Sequence, residues 1–311
     1  MVAPARHGLN CRLLRFATAR RRVRTHCLYF MRTALAAVAA VALAACNHPR
    51  PRDVRVESRP HGPTAAAPTT RLRLVTYNVH MIKAVEITAA LRESPDLAAA
   101  DLVMLQEVES RPSEGESRAC LAAKQLDLHC AYAPGYGLAD GGSHGVAILS
   151  RFPLTDLEIT ELPYHDTVMN SARRVALGAT IDAGSGPMRL YAVHLDNRIN
   201  PAAREQQLAP VLDAADRHDL PTVIAGDMNT SPFVWLGHVV PVPAGVQDDR
   251  LESFVRARGF ATPVRDSGPT SPWFGMKLDA VYTRGVEVTA HEVEHTVRAS
   301  DHLPLWADLD L

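Results

Sequence analysis

The sequence predicts an α+β domain in which mixed or antiparallel sheets are flanked by helices, rather than a doubly wound parallel sheet. Three observations carry that prediction. Apolar runs of strand length recur along most of the chain. Several follow one another with no helical stretch between, over 145–194 and again over 278–309. Apolar periods of 3.6 residues fill only some of the other intervals. In order, the strand-like runs are 72–77, 101–106, 145–149, 175–181, 188–194, 222–225, 278–282, 286–295 and 305–309, each apolar and richest in Val, Ile and Leu. Helical patterns occupy 84–91, 118–126, 202–215 and 249–258. Turn signals separate the runs at Asp140-Gly141-Gly142, Gly184-Ser185-Gly186 and Arg284-Gly285. No internal repeat is present and nothing inside 71–311 has linker composition, so one domain is expected there.

The 311 residues hold 33 Lys and Arg against 34 Asp and Glu, a formal net charge of −1, but the charges are segregated. Residues 1–45 contain eight Arg and no acidic residue, which leaves 25 basic against 34 acidic residues, net −9, for the remainder. After Met31 and Arg32, residues 33–45 are uncharged. That run is shorter than the roughly 20 apolar residues that span a bilayer and fits the centre of a secretory signal. Its ending, Leu43-Ala44-Ala45-Cys46, resembles a bacterial lipobox, in which the Cys is lipidated and heads the mature chain. The expectation is a lipoprotein-type signal over 1–45 with Met31 as the natural initiator. The protein would be exported and held to a membrane through Cys46, facing the periplasm or the cell exterior. Residues 46–70, rich in Pro, Arg, Ala and Thr without a hydrophobic period, read as a disordered tether. The folded domain is then expected over 71–311, with 21 basic and 32 acidic residues, net −11.

Cys11 and Cys27 lie upstream of Met31 and Cys46 is assigned to lipid, so Cys120 and Cys130 remain. A pair ten positions apart in an exported protein reads as a disulfide, against the alternative of two separately buried thiols. Closing so short a loop would contribute about 2–3 kcal/mol.

Polar residues gather at the ends of the strand-like runs. Asn78 closes the first in Thr76-Tyr77-Asn78, and Glu107 the second in Leu105-Gln106-Glu107. His194 ends another, Asp227 and Asn229 follow in Gly226-Asp227-Met228-Asn229, Asp279 lies in Leu278-Asp279, and Asp301-His302 follow Ser300. One such residue is ordinarily a turn former. A set of carboxylates, amides and imidazoles in six places points to a catalytic or metal-binding cluster.

In that order, TYN, LQE, a His after an apolar strand, GDMN, LD and SDH resemble the motifs of the endonuclease/exonuclease/phosphatase superfamily, over essentially all of 71–311. The resemblance implies a four-layer α/β/β/α sandwich, two mixed sheets face to face with helices outside. It also implies a divalent-metal-dependent phosphoesterase, hydrolysing a phosphodiester or phosphomonoester by direct attack of water. Under it, Glu107 is the main ligand of Mg²⁺ (or Mn²⁺), with Asn78 at its edge and Asp301 a further carboxylate nearby. A hard divalent cation prefers such oxygen ligands and leaves room for a phosphate oxygen. Asp227 would orient and deprotonate the attacking water, and Asn229 would position water or phosphate. His194 and His302 would face the phosphoryl oxygens, with Asp279 fixing the ring of His302. The chain departs from the pattern at His80, where several members carry an acidic metal-site residue, and this argues against a two-metal site. Asn170 and Arg173 or Arg174 fall where members often contact phosphate, and Trp273 and Phe274, just before Lys277, read either as the wall of a substrate pocket or as buried core.

His291-Glu292-Val293-Glu294-His295 matches the zinc-protease motif, which requires a helix to bring its two His within about 5–6 Å. The surrounding residues are β-branched with period two, and on a strand the two His would stand roughly 13 Å apart. A nuclease gains affinity by neutralising backbone phosphates, whereas this domain is net −11 with three Lys, at 83, 124 and 277. Small phosphoesters or phospholipid headgroups therefore fit better than duplex nucleic acid. A nuclease of the same fold and an inactive surface binding protein are the alternatives. A monomer is expected.

Overall fold

The computed structural model describes residues 48–63, 67–166, 172–232, 242–273 and 275–311. Residues 48–311 cluster as one compact unit. One sheet runs, in spatial order, β1 (Glu57–Arg59), β4 (His129–Gly137), β5 (Ser143–Ser150), β3 (Leu102–Ser110), β2 (Arg71–Asn78), β12 (Leu305–Asp310) and β11 (Glu287–Val293). The other runs β10 (Asp279–Arg284), β9 (Thr222–Asp227), β8 (Pro187–His194), β7 (Val175–Asp182) and β6 (Thr155–Glu161). The pairs β2–β3 and β8–β9 are parallel and the rest antiparallel, so both sheets are mixed.

Period-two alternation sets the layers. Leu72 and Leu74 of β2, Leu102 and Met104 of β3, and Val146 and Ile148 of β5 meet Leu177, Leu190, Val223 and Val281 in a core between the sheets. The alternate residues Val75, Tyr77, Val103 and Leu105 pack beneath α1 (Ala84–Glu93), α2 (Pro95–Ala98) and α3 (Arg118–Gln125), against Ile87, Leu91 and Leu97. On the far side Tyr191, Val193, Ile224 and Tyr282 meet α4 (Pro201–Asp216) and α5 (Ala244–Arg256) through Leu208, Val211, Leu251 and Val255. The result is the four-layer sandwich that the resemblance implied. Truncating any of these fully buried leucines to Ala would cost about 2–5 kcal/mol.

Three strands and a short helix escaped the sequence reading. β4 contains Pro134, Gly135 and Gly137, which read as a loop; the register against β5 shifts between Pro134 and Tyr136, where the ladder accommodates the proline. β6 is a half-exposed edge strand with the mixed sequence TDLEITE, and α2 is a single turn started by Ser94 and Pro95. β1 corrects the expectation of a disordered tether over 46–70. Glu57, Ser58 and Arg59 pair with Tyr132, Ala131 and Cys130, Val56 packs on the inter-sheet core, and Gly137 N donates to Pro49 O at 2.7 Å. The open edge of β4 offered backbone partners that a composition rule does not count. His291 lies on β11, a strand, as the geometric argument against a zinc site required. Cys120 of α3 and Cys130 of β4 form a disulfide with Cα atoms 5.3 Å apart, which ties α3 to the sheet. The signal over 1–45 and Cys46 lie outside the described residues.

Candidate active site

At one end of the sandwich the inward-facing alternation passes from apolar to polar side chains without a break. Leu190 and Ala192 of β8 are followed on that face by His194, Val223 and Ala225 of β9 by Asp227, and Asp279 precedes Val281 on β10. His194 pairs with Asp227 in the parallel ladder and Asp227 with Asp279 in the antiparallel one, so the three side chains stand side by side. Gly226 is required before Asp227: its φ is 151°, and a Cβ there would lie 1.9 Å from Val193 O. From the opposite sheet, Leu72 and Leu74 lead through Thr76 to Asn78, whose Nδ2 donates to Asp227 Oδ2 at 2.9 Å and joins the two sheets.

Glu107 reaches the same place through a bulge. Val103 and Leu105 face the helices, and strict alternation would send Glu107 after them. The β3–β5 register shifts between Leu105 and Val108, Val108 takes the helix-facing position, and Glu107 adopts φ 56°. Its carboxylate thereby faces His144 Nε2 at 3.9 Å, His194 Nε2 at 3.8 Å and His80 Nδ1 at 3.8 Å. His80, Met81 and Asn229 also have positive φ, so four of the non-glycine residues in this conformation surround one cleft. Such strain persists where surrounding contacts over-determine the backbone, as at functional sites.

The electrostatics sort the histidines into two states. His302 Nδ1 donates to Asp279 Oδ2 at 2.8 Å, and Nε2 lies 3.7 Å from Asp227 Oδ2. Burial opposes a charge on His302, but the carboxylates of Asp279 and Asp227 outweigh it and push the imidazole up to about 10. It is a cation at neutral pH. His194 is the opposite case. Arg174 Nη1 lies 3.0 Å from His194 Nδ1 and 3.4 Å from Nε2, so the guanidinium sits against the imidazole ring. Burial and the Arg174 charge hold His194 well below the ordinary imidazole range. Its Nε2 lies 3.6 Å from Asp227 Oδ2. Burial raises the Asp227 carboxyl to about 7, with His302 opposing and Asp279 reinforcing the shift. For Glu107, burial works against the charge, but His144, His194 and Arg174 prevail and hold its carboxyl well below the usual range.

The cleft is about 640 Å³ and is lined by Glu107, Arg174, Asp227, Asn229, Asp301 and His302, among others. Of the sequence-assigned residues, Asn78, Glu107, His194, Asp227, Asn229, Asp279 and His302 come together. Asp301 stands at the rim, 3.0 Å from His80 Nδ1. Asn78 has its amide committed to Asp227, and its Oδ1 accepts from His80 N at 3.0 Å, so it braces both groups. Asn229 Nδ2 donates to Leu195 O and its N–H to Asp227 Oδ1, an arrangement that orients Asp227.

Two sets of donors could hold a cation. Ligand atoms of Asp227, Asp279 and His302 lie within 4.8 Å of one another. In that set His302 Nδ1 already donates to Asp279, and an ion there would break a charge-assisted bond. Glu107 and Asp301 instead border the open cleft, with oxygen donors suited to a hard divalent ion and space for its waters and a phosphate.

Of the two arginines singled out, Arg174 enters the cleft, held by Asp196 Oδ1 at 2.8 Å. Arg173 donates away to Pro134 O and Gly135 O. Trp273 is 78 % exposed and does not line the cleft; Ser271 and Met276 do. Lys277 is spent on Asp248 and Glu252. Asn170 and Phe274 lie outside the described residues. Sequence reasoning missed His144, which continues the inward face of Val146 and Ile148 and was within reach of the alternation rule. It also missed Tyr136, stacked on His144 with ring centroids 4.5 Å apart, and His48, 4.2 Å from Tyr136 on its own side of the cleft. Nothing in the Pro- and Arg-rich segment signals His48.

A sequence profile of the Endonuclease/Exonuclease/phosphatase family matches residues 75–302. No curated protein matches the chain. Among solved structures, an endonuclease/exonuclease/phosphatase from Beutenbergia cavernae DSM 12333 is similar, with TM-score 0.63 and 24 % identity over 78 % of this chain and 72 % of that one. The human Nocturnin catalytic domain with bound sulfate anion superposes with TM-score 0.56 and 16 % identity over 82 % of this chain and 96 % of that one. D. rerio TDP2 complexed with single strand DNA product gives TM-score 0.53 and 17 % identity over 78 % and 100 %.

Proposed function

Since the chain belongs to the Endonuclease/Exonuclease/phosphatase family, we propose that it is a divalent-metal-dependent phosphoesterase that hydrolyses its substrate by direct attack of water. The observation that carries this reading is the cluster of Asp227, His302 and His194 beside Glu107: Asp227, His302 and Glu107 line one cleft with His194 buried behind them, one imidazole favouring its cation and the other its neutral form. A Mg²⁺ or Mn²⁺ ion held by Glu107 and Asp301, with Asn78 behind them, would act as a Lewis acid on a phosphoryl oxygen. Asp227, raised towards neutrality and fixed by Asn78 and Asn229, takes a proton from the attacking water. The water oxygen bonds to phosphorus, the phosphorus–oxygen bond to the leaving group breaks, and solvent protonates the departing oxygen. His302 Nε2–H and His194 Nε2–H donate to the phosphoryl oxygens as charge develops on them. Asp279 keeps the first ring charged, and burial with the Arg174 charge keeps the second neutral.

Small phosphoesters or phospholipid headgroups are the favoured substrates, because the domain's net charge of −11 opposes a polyanion. Lipid anchoring at Cys46 and export are part of the same proposal. Turnover of bis-p-nitrophenyl phosphate with Mg²⁺ or Mn²⁺, run in ¹⁸O water, tests the reaction. One ¹⁸O in the phosphate product under single turnover is expected, and Asp227→Ala should be inactive. An Asp227→Ala variant as active as wild type would overturn the mechanism. Parallel assays on phospholipid, inositol phosphate and single-stranded DNA rank the substrates.

A further inference from the structure

His80 stands where several family members carry an acidic residue, and its ring lines the cleft, about half exposed. Its Nδ1 is 3.0 Å from Asp301 Oδ1 and 3.8 Å from Glu107 Oε2, between the two carboxylates assigned above to the cation. The backbone reaches this position through two consecutive left-handed residues, φ 43° at His80 and 62° at Met81. Two hydrogen bonds hold the turn: His80 N donates to Asn78 Oδ1 and Met81 N to Glu107 O, each at 3.0 Å. Neighbouring ligands on an octahedral ion with bonds of about 2.1 Å stand about 3 Å apart. The separation of His80 Nδ1 from Asp301 matches such an edge, and that from Glu107 exceeds it by about 0.8 Å.

We propose that His80 gives this cation site an imidazole nitrogen, so that Nδ1 joins Glu107 and Asp301 as a ligand and biases the site towards a first-row transition ion over Mg²⁺. The inference rests on the metal-dependent reading above. In the metal-free protein Nδ1–H is within reach of Asp301. On binding, Nδ1 offers its lone pair to the ion and the ring proton resides on Nε2. A neutral nitrogen donor strengthens binding of Mn²⁺ or Co²⁺ far more than that of Mg²⁺, which holds to oxygen and water. Replacing the usual acidic side chain by imidazole also removes a negative charge, which lowers the attraction for a second cation.

Calorimetric titration of the full chain with Mn²⁺ and with Mg²⁺, together with pulsed EPR of the Mn²⁺-loaded protein, tests the proposal. Wild type should bind one Mn²⁺ and show ¹⁴N coupling. His80→Asn should lose a nitrogen coupling and weaken Mn²⁺ binding by about tenfold or more, with Mg²⁺ changed by less than about threefold. His80→Asp should raise Mg²⁺ affinity and so narrow or invert the preference, which also shows that the site survives substitution. An unchanged ¹⁴N pattern and an unchanged Mn²⁺/Mg²⁺ ratio in His80→Asn would overturn the assignment. Robust turnover without His80-dependent coupling removes this inference alone. His80-dependent coupling without turnover of any phosphoester preserves it and removes the catalytic reading. A wild type that binds no divalent ion removes both.

Discussion

Asp279→Asn separates the charge of the Asp279–His302 pair from its geometry. Asp279 is fully buried, and the amide keeps an oxygen for His302 Nδ1–H at nearly the same 2.8 Å. What is lost is the carboxylate that, with Asp227, outweighs burial and lifts His302 to about 10. Were the imidazole returned to its ordinary 6.5, with burial and the remaining Asp227 carboxylate offsetting each other, only about 3 % would stay protonated at about pH 8, against roughly three quarters at about pH 6. If the cation is what stabilises the phosphoryl oxygens, kcat should fall roughly thirtyfold relative to wild type at the higher pH and much less at the lower. Wild type should give a bell, rising as Asp227 deprotonates near 7 and falling as His302 deprotonates near 10. The variant's alkaline limb should move down by several pH units. Stability carries the same signature. The folded pKa of His302 lies above its unfolded value, so its contribution is complete below about 6.5 and is lost as pH rises through about 10. That shift corresponds to a contribution on the order of 5 kcal/mol, shared between the two carboxylates. Rate profiles on bis-p-nitrophenyl phosphate and urea unfolding at both pH values read the two effects. A rate loss independent of pH, or an alkaline limb left near 10, would refute the reasoning.

Arg174→Met should remove the charge that helps hold His194 below the ordinary imidazole range and lower kcat by about 10–100-fold. ¹⁵N NMR should show the His194 imidazole titrating at higher pH than in wild type, and a variant with wild-type kcat would rule out the role of Arg174. Replacing Cys120 and Cys130 by Ser should lower unfolding free energy by about 2–3 kcal/mol in urea titrations while leaving kcat near wild type. Removing residues 48–59 strips the strand partner from β4 and should lower Tm and speed hydrogen exchange at Cys130 to Tyr132; unchanged exchange would contradict the pairing. EDTA should abolish turnover, and added Mn²⁺ should restore it.

Much of the site was legible because catalysis here uses the same alternation that builds the core. His194, Asp227, Asp279 and Asn78 continue the inward alternation of their strands past its apolar positions, Asn78 by way of Thr76, so a reading that places strands also places them. Glu107 was found through its motif, but its direction depends on a bulge that no periodicity announces. The rest was hidden for physical reasons. β4 breaks strand rules with Pro134 and two glycines because its irregularity is absorbed at a register shift. β1 has no pattern of its own and exists only because the β4 backbone was left unpaired. Which of Arg173 and Arg174 enters the cleft depends on Asp196, a partner 22 residues from the one it chooses.

Pairing of β1 and the Pro49–Gly137 hydrogen bond also change what an acyl chain on Cys46 would do. A loose segment over 46–70 would let the domain roam through a shell about 80 Å deep. With His48 seated beside Tyr136 at the cleft, the leash shortens to two residues, an extended reach of about 7 Å. The catalytic mouth would then be moored at the headgroup layer. Its search would become two-dimensional, and its substrate would be met at the concentration of a surface instead of the surrounding volume.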